Sequence, residues 1–298
     1  AFVLRLHAPK AARTSGERTI GAGRRIPEAF LLLTAAYGAV TLLALSLQRG
    51  REIVVGAGRL LMTCWTLAVI FMLQHGDQGA LTEGRLQLGN TGQGMNLALG
   101  VAAFIVLQTG LNLLLGLGQR IGPVEQVYGV PVPPGLYAPA LVGAFLLALT
   151  GTPLAGLAAV FGEEYGWRGF LQDELVCWGR RRGALLIGLL WGLWHAPVIL
   201  SGVHTYRPTA LGLALGLVFF LLWGLFQSYA LLKTGSIWVA AFLHGLVDSL
   251  YGFSSNYIVS TRGTFLSFGL GVYGLVSLAL VVLVLLADPV WGDGAPAT

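Results

Sequence analysis

The chain has 298 residues, of which 55% are hydrophobic and 10% are charged. Soluble domains contain about 25% charged residues, so this composition excludes an ordinary soluble protein and predicts a polytopic membrane protein. The net charge is +5, but the basic N-terminal segment carries few charges and no interleaved aromatic residues, so we expect no nucleic-acid partner.

After a basic, polar start, the chain is almost continuously apolar. A helix needs about 20 apolar residues to cross a bilayer core of about 30 Å. Eight segments meet this requirement, which predicts an all-α, polytopic membrane helical bundle of about eight transmembrane helices. The candidate spans are roughly 28–48, 57–75, 95–118, 138–162, 183–203, 209–232, 235–253 and 264–287. They define a basic cytoplasmic tail at 1–27, a membrane domain at 28–288 and a C-terminal tail at 289–298.

The fourth span is interrupted by the sequence GTPLAG at 151–156. Pro153 lacks a backbone N–H and should kink or break the helix there. We expect the helix to restart and to continue through Glu163 towards Cys177. Broken membrane helices often mark functional sites.

The distribution of Lys and Arg predicts the orientation of the chain. The N-terminal tail, the arginines at 179–183 and Lys233 all fall on one side if the N-terminus is inside. The positive-inside rule therefore predicts that the N- and C-termini are cytoplasmic. We expect the membrane to be a bacterial cell membrane.

Ionisable side chains within the predicted spans are few, and such residues are costly in lipid. Away from the span ends, and counting the continuation of the fourth span, they are Glu163, Glu164, Arg168, His195, His244 and Asp248. Glu164 and Arg168 are spaced i, i+4 and can pair, as can His244 and Asp248, whereas Glu163 points about 100° away from Glu164. At a rise of about 1.5 Å per residue, Glu163, His195 and His244 lie at depths that allow their three helices to bring them together within the membrane.

These residue types leave several chemistries open. A carboxylate with an imidazole beside it can activate a water, and a second histidine can stabilise an oxyanion. Glutamate, histidine and aspartate are also common metal ligands, although the chain contains no HExxH sequence. A further alternative is that the Glu–Arg and His–Asp pairs only hold helices together.

Three motifs appear in a fixed order. Glu163-Glu164-Tyr165-Gly166-Trp167-Arg168 matches EExxxR, Trp191-Gly192-Leu193-Trp194-His195 is similar to FxxxH with Trp in place of Phe, and His244-Gly245-Leu246-Val247-Asp248 matches HxxxN/D. Over about residues 138–255 the chain resembles the CPBP family, also called the ABI family, which includes type II CAAX prenyl endopeptidases and bacteriocin-processing proteins.

The resemblance implies an intramembrane glutamate protease of eight helices, in which Glu163 and His195 activate the water. It implies an oxyanion site at His244 and Asp248, with Glu164 and Arg168 supporting the geometry. An ionised aspartate cannot donate a hydrogen bond, so Asp248 would be protonated or would orient His244.

We therefore expect an intramembrane endopeptidase that acts on a membrane-embedded or lipidated peptide or protein, surrounded by membrane lipid, without a cofactor or metal. The alternatives are a non-catalytic membrane scaffold or transporter of the same fold, or a metal-dependent membrane protease.

Overall fold

The computed structural model describes residues 85–202, 207–262 and 264–292, together with scattered helical residues between 32 and 68. The tail predicted at 1–27, most of the span predicted at 28–48 and about half of the span predicted at 57–75 lie outside the described residues. The domain boundaries and the cytoplasmic position of the N-terminus therefore stay predictions.

The described chain is predominantly helical. We label the elements in chain order as α1 (Thr91–Leu114), β1 (Gln119–Arg120), β2 (Gln126–Val127), β3 (Val130–Pro131), α2 (Tyr137–Leu149), α3 (Gly151–Glu164), α4 (Gln172–Leu175), α5 (Arg180–Leu200), α6 (Ala210–Thr234), α7 (Ile237–Phe253), β4 (Val259–Ser260) and α8 (Val272–Leu286). Short 3₁₀ turns cover Pro134–Leu136, Val176–Trp178 and Pro289–Trp291, and π-helical turns cover Tyr165–Leu171 and Ser254–Ile258.

Five helical stretches among the described residues are long and apolar enough to cross a membrane, so the protein is an all-α polytopic membrane protein. These stretches are Thr91–Leu114, Pro134–Trp178, Arg180–Leu200, Ala210–Thr234 and Ile237–Ile258. Helix α8 is apolar but has only 15 residues. The predicted total of eight spans is not confirmed, because two of them are only partly described and α8 is short.

The predicted interruption of the fourth span is confirmed. Helix α2 ends at Thr150, whose φ of −131° and ψ of −66° are not helical, and α3 begins at the next residue. Pro153 lies in the first turn of α3, where a backbone N–H would have no helical partner in any case. The helix then continues beyond Glu164 through the π-helical turn to Trp178, as expected.

Helix α7 lies at the centre of the described bundle and packs against α1, α2, α3 and α6. Its approach to α3 is close, because a Cβ atom on Gly245 would lie 3.2 Å from the Cα atom of Pro153. Small residues allow such close packing of membrane helices. This contact brings the residue before Gly245, His244, to the part of α3 that carries the two glutamates.

Helices α5 and α6 cross at a pair of glycines. A Cβ atom on Gly188 would lie 2.7 Å from the backbone oxygen of Leu221, and one on Gly224 would lie 2.7 Å from the Cα atom of Gly188. The two backbones are therefore in direct contact, and only glycine fits at this crossing.

The connection between α7 and α8 is tied to α1 by polar contacts. The side-chain amide of Asn112 donates to the backbone oxygen of Phe268 (3.1 Å) and its oxygen accepts from the backbone N–H of the same residue (2.9 Å). The hydroxyls of Thr109 and Ser254 lie 2.9 Å apart, and β1 pairs with β4 in an antiparallel ladder. This connection is therefore held firmly beside α1.

A second polar cluster fixes the end of α8. Asp288 accepts hydrogen bonds from the Tyr229 hydroxyl (3.0 Å) and the Val290 backbone N–H (2.8 Å), and it forms a 2.8 Å ion pair with Lys233. Partial burial acts to raise the pKa of Asp288, but the hydrogen bonds from Lys233, Val290 and Tyr229 outweigh it and hold the pKa below its ordinary value. The cluster joins α8 to the end of α6.

Replacement of Gly188 by Ala is expected to destabilise the protein by about 1–3 kcal/mol, because the added methyl group meets backbone rather than a movable side chain. Thermal unfolding in detergent measures the effect. Gly100→Ala is the matched control, since a Cβ atom there would meet nothing within 4 Å and alanine favours helix more than glycine. Equal unfolding temperatures for the two variants would contradict the close crossing.

Asp288→Asn is expected to lower the unfolding temperature near neutral pH, by an amount that corresponds to about 1 kcal/mol for a partly exposed cluster. The pKa of Asp288 is depressed in the folded state, so its contribution is present above the ordinary value of 3.8 and is lost as the pH falls through the lower, folded-state value. The unfolding temperatures of wild type and Asp288→Asn should therefore become more similar as the pH falls, which measurements across this acid range test. A difference in unfolding temperature that widens towards acid pH would contradict the stabilising role of the Asp288 carboxylate.

Candidate active site

The two adjacent glutamates lie at the end of α3, where the α-helix changes into a π-helical turn. Glu164 is completely buried and Glu163 is 6% exposed. Single π-helical turns within α-helices are frequent at functional sites. Here the turn begins directly after Glu164 and contains Arg168.

Glu164 is the centre of a buried polar network. Arg168 Nη1 lies 3.0 Å from Glu164 Oε2 and donates a hydrogen bond to Oε1 at 3.1 Å. From α7, His244 Nδ1 lies 2.7 Å from the same Oε1 atom and donates its proton to the carboxylate. The predicted pairing of Glu164 with Arg168 is confirmed, and a partner from a second helix joins it.

The Arg168 guanidinium is fully buried and has an aromatic partner. Its Cζ atom lies 4.2 Å from the centre of the Trp191 ring, at a distance typical of a cation–π interaction. Such contacts contribute about 2 kcal/mol when the cation is desolvated. The charge of Arg168 is therefore balanced by Glu164 on one side and contacts the π face of Trp191 on another.

Glu163 is held by Trp191. The indole N–H of Trp191, on α5, donates a hydrogen bond to Oε1 of Glu163. Trp191 is 1% exposed, so this contact lies within the protein interior. The two glutamates thus have different partners, although they are neighbours in sequence.

His195 lies one helical turn after Trp191. Its Nδ1 atom is 3.0 Å from the backbone oxygen of Trp191, and its ring stacks on Phe220 with a centroid distance of 3.8 Å. A carbonyl oxygen can only accept, so Nδ1 carries the proton. In a neutral ring, Nε2 then holds the lone pair that can accept a proton.

Asp248 lies within ion-pair distance of His244, as their i, i+4 spacing allows. Its Oδ2 atom lies 3.6 Å from His244 Nε2, beyond hydrogen-bond distance, and its side chain is 65% exposed. Nδ1 of His244 is directed to Glu164, and its other ring nitrogen, Nε2, faces Asp248. Asp248 is therefore available to an incoming ligand.

A single cavity of about 460 Å³ brings the predicted residues together. Glu163, His195, His244 and Asp248 all line it. Glu164 and Arg168 do not; they lie behind the wall and hold His244 from inside the protein.

The rest of the cavity wall combines apolar and polar surfaces. Phe219, Phe220 and Leu270 contribute apolar surface, whereas Gln108 and Asn112 contribute side-chain amides from α1. This mixture suits a ligand that has an apolar body and a polar backbone.

The side chains considered above as a possible metal-ligand set do not form a metal site in the structure. Among the described residues, no group of three or more histidine, cysteine, aspartate or glutamate side chains gathers closely enough to hold a metal ion.

Three hydrogen bonds at or next to the first motif were not predicted from the sequence. Trp191 was interpreted only as an aromatic replacement, and its hydrogen bond to Glu163 was not anticipated. Trp65 donates to the backbone oxygen of Gly162 (2.8 Å) and the Thr66 hydroxyl accepts from the Gly162 N–H (3.0 Å), so the residue before the glutamates is held from the N-terminal part of the chain. The only signal for any of these contacts is a polar or indole group within an apolar segment.

Comparison with known proteins agrees with the motifs. Residues 143–250 match the family model for type II CAAX prenyl endopeptidase, Rce1-like, and all three motifs lie within this range. The chain is also 35% identical over 98 residues to CAAX prenyl protease 2 of Methanococcus maripaludis, covering 31% of this chain and 36% of that protein. The match thus spans about a third of that relative's length. No solved structure matches the chain. The resemblance inferred from the motifs is confirmed over residues 143–250.

Replacement of Arg168 by Ala is expected to destabilise the protein by about 3–5 kcal/mol, because it leaves the Glu164 carboxylate buried without its cation. Arg182→Ala, at an exposed position on α5, is the control and should unfold at the wild-type temperature. Unfolding followed in detergent compares the two. An Arg168→Ala protein as stable as the control would show that the pair contributes nothing.

Proposed function

We propose that this protein is an intramembrane endopeptidase in which Glu163 activates a water molecule for attack on a peptide bond. The observation that carries this proposal is that Glu163, His195, His244 and Asp248 line one cavity among long apolar helices. The match to the Rce1-like model supports a membrane protease, whereas the glutamate mechanism rests on the arrangement of these side chains.

The reaction divides among the side chains as follows. Glu163 accepts a proton from water while the water oxygen bonds to the substrate carbonyl carbon. The carbonyl π electrons move to oxygen, giving a tetrahedral oxyanion. When the oxyanion electrons reform the carbonyl, the C–N bond breaks and its electron pair leaves with nitrogen. That nitrogen takes the proton directly from Glu163 or through Nε2 of His195, which regenerates the Glu163 carboxylate.

The oxyanion would be stabilised by His244. Its Nδ1–H is already used in the hydrogen bond to Glu164, so donation from Nε2 to the oxyanion requires the imidazolium form. Glu164 on one side and Asp248 at 3.6 Å on the other provide negative charge that complements this cation. Asp248 thus serves as a charged neighbour of His244 rather than as a donor.

The substrate class follows from the position and lining of the cavity. Its apolar surface and its location among membrane-length helices favour a membrane-embedded or lipidated peptide over a soluble one. The similarity to a relative named CAAX prenyl protease 2, together with a family-model match that contains all three motifs, supports a lipidated substrate. The predicted location in a bacterial cell membrane, with the N-terminus cytoplasmic, belongs to this proposal.

Cleavage of a library of membrane and lipidated peptides by the purified protein tests the proposal. Glu163→Gln is expected to reduce kcat/KM by about 10²–10⁴-fold, because the amide cannot act as a base. The matched control is Glu174→Gln, which makes the same chemical change at an exposed position on α4 and should retain wild-type activity.

Three outcomes would contradict the proposed mechanism. Equal rates for wild type and Glu163→Gln would exclude Glu163 as the base. Activity that is lost on chelation and restored by zinc would replace it with a metal-bound water. An absence of cleavage with every peptide would favour a non-catalytic membrane scaffold or transporter.

A further inference from the structure

Trp191 contacts Glu163 and three basic side chains of the site. Its indole N–H donates to Glu163, and its ring face lies 4.2 Å from the Arg168 Cζ atom. The centres of the His195 and His244 rings each lie 5.5 Å from the Trp191 ring in edge-on arrangements. One side chain on α5 therefore touches groups that come from α3, α5, α7 and the π-helical turn.

The N–H group is the part of Trp191 that packing alone does not require. The FxxxH motif has phenylalanine at this position, and a phenylalanine would still offer a ring to Arg168 and to the two histidines. It would offer nothing to the Glu163 carboxylate, which is buried and needs a hydrogen-bond donor. With Oε1 held by the indole, the carboxylate is fixed in rotation and Oε2 is the oxygen left for the water proton.

We propose that Trp191 is a positioning residue, which uses its indole N–H to orient the Glu163 carboxylate for proton transfer. This inference rests on the proposed function, because it concerns the base of that reaction. General-base catalysis requires the base within hydrogen-bond reach of the proton it accepts, so a carboxylate free to rotate spends less time in the productive geometry. The loss is expected in turnover rather than in substrate binding, since Trp191 is not among the residues that line the cavity.

The contact itself can be tested without any substrate. In protein labelled with ¹⁵N on the tryptophan indoles, the Trp191 signal is the one that disappears in Trp191→Phe. It is expected to move in Glu163→Gln, because a hydrogen bond to a carboxylate is stronger than one to a neutral amide. The indole of Trp223 is the internal control; it is buried, and its nitrogen has no hydrogen-bond partner among the described residues. A Trp191 signal that does not respond to Glu163→Gln would overturn the inference.

The role in turnover is tested with the peptide that the wild-type protein cleaves in the library screen. Trp191→Phe is expected to lower kcat by about 10–100-fold and to leave KM within about twofold, as for an interaction that matters in the transition state. Trp223→Phe removes the same atoms at another buried site and should leave both constants unchanged. Wild-type kcat in Trp191→Phe, or a rise in KM with unchanged kcat, would overturn the inference.

A second variant at position 191 separates the positioning role of the indole N–H from the packing role of the ring. Benzothienylalanine at position 191 keeps the shape of the indole but replaces the N–H by sulfur. This protein is expected to show the same fall in kcat as Trp191→Phe and to unfold at the same temperature as the wild type. A wild-type kcat would show that only the ring matters and would overturn the inference.

If Glu163→Gln is inactive while both Trp191 variants are fully active, the proposed function stands and only this inference fails. If wild type and Glu163→Gln cleave equally, Glu163 is not the base and the inference fails with the proposed function.

Discussion

A carboxylate that is fully enclosed among membrane helices must be neutralised by groups supplied by the protein, and Glu164 meets this requirement with two partners. Arg168 comes from the following turn of the same helical segment, and His244 comes from α7. Removal of either partner leaves charge in a low-dielectric interior, where an unpaired ion costs several kcal/mol. The relative placement of α3 and α7 therefore depends on this network.

Irregular helix geometry makes the network possible. The break at Thr150 starts a new helix, and the close contact between Gly245 and Pro153 allows α7 to approach it. After Glu164 the π-helical turn changes the direction of the following side chains. Irregular backbone at membrane depth is tolerated when neighbouring helices cover it, as α7 does here.

The site divides into a dry part and a part open to a ligand. Glu164, Arg168 and the face of Trp191 form the dry part, in which charges are balanced by direct contact. Glu163, His195 and Asp248 line the cavity. His244 belongs to both, since one ring nitrogen binds Glu164 and the other lies towards Asp248. This division supplies fixed charge behind the residues proposed to move protons.

Local features of the site could be predicted from the sequence because they depend on neighbours along one helix. The composition determined the membrane class, Pro153 indicated the break, and the i, i+4 spacing predicted the Glu164–Arg168 pair. The same spacing also places Asp248 within ion-pair distance of His244, although at 3.6 Å the two side chains do not form a hydrogen bond. The spacing could not show that the other ring nitrogen of His244 binds Glu164 from a different helix.

Contacts between helices were decided only by the tertiary structure. Glu164 and His244 are 80 positions apart, and Glu163 and Trp191 are 28 apart, so no helical periodicity relates them. Their meeting depends on where α5 and α7 pack, which is set by close approaches at Gly188, Gly224 and Gly245. In a chain with 43 glycines the sequence does not reveal which of them lie at a crossing. The sequence by itself therefore determined the residues available for chemistry, and helix packing determined which of them face the cavity and which hold it in place.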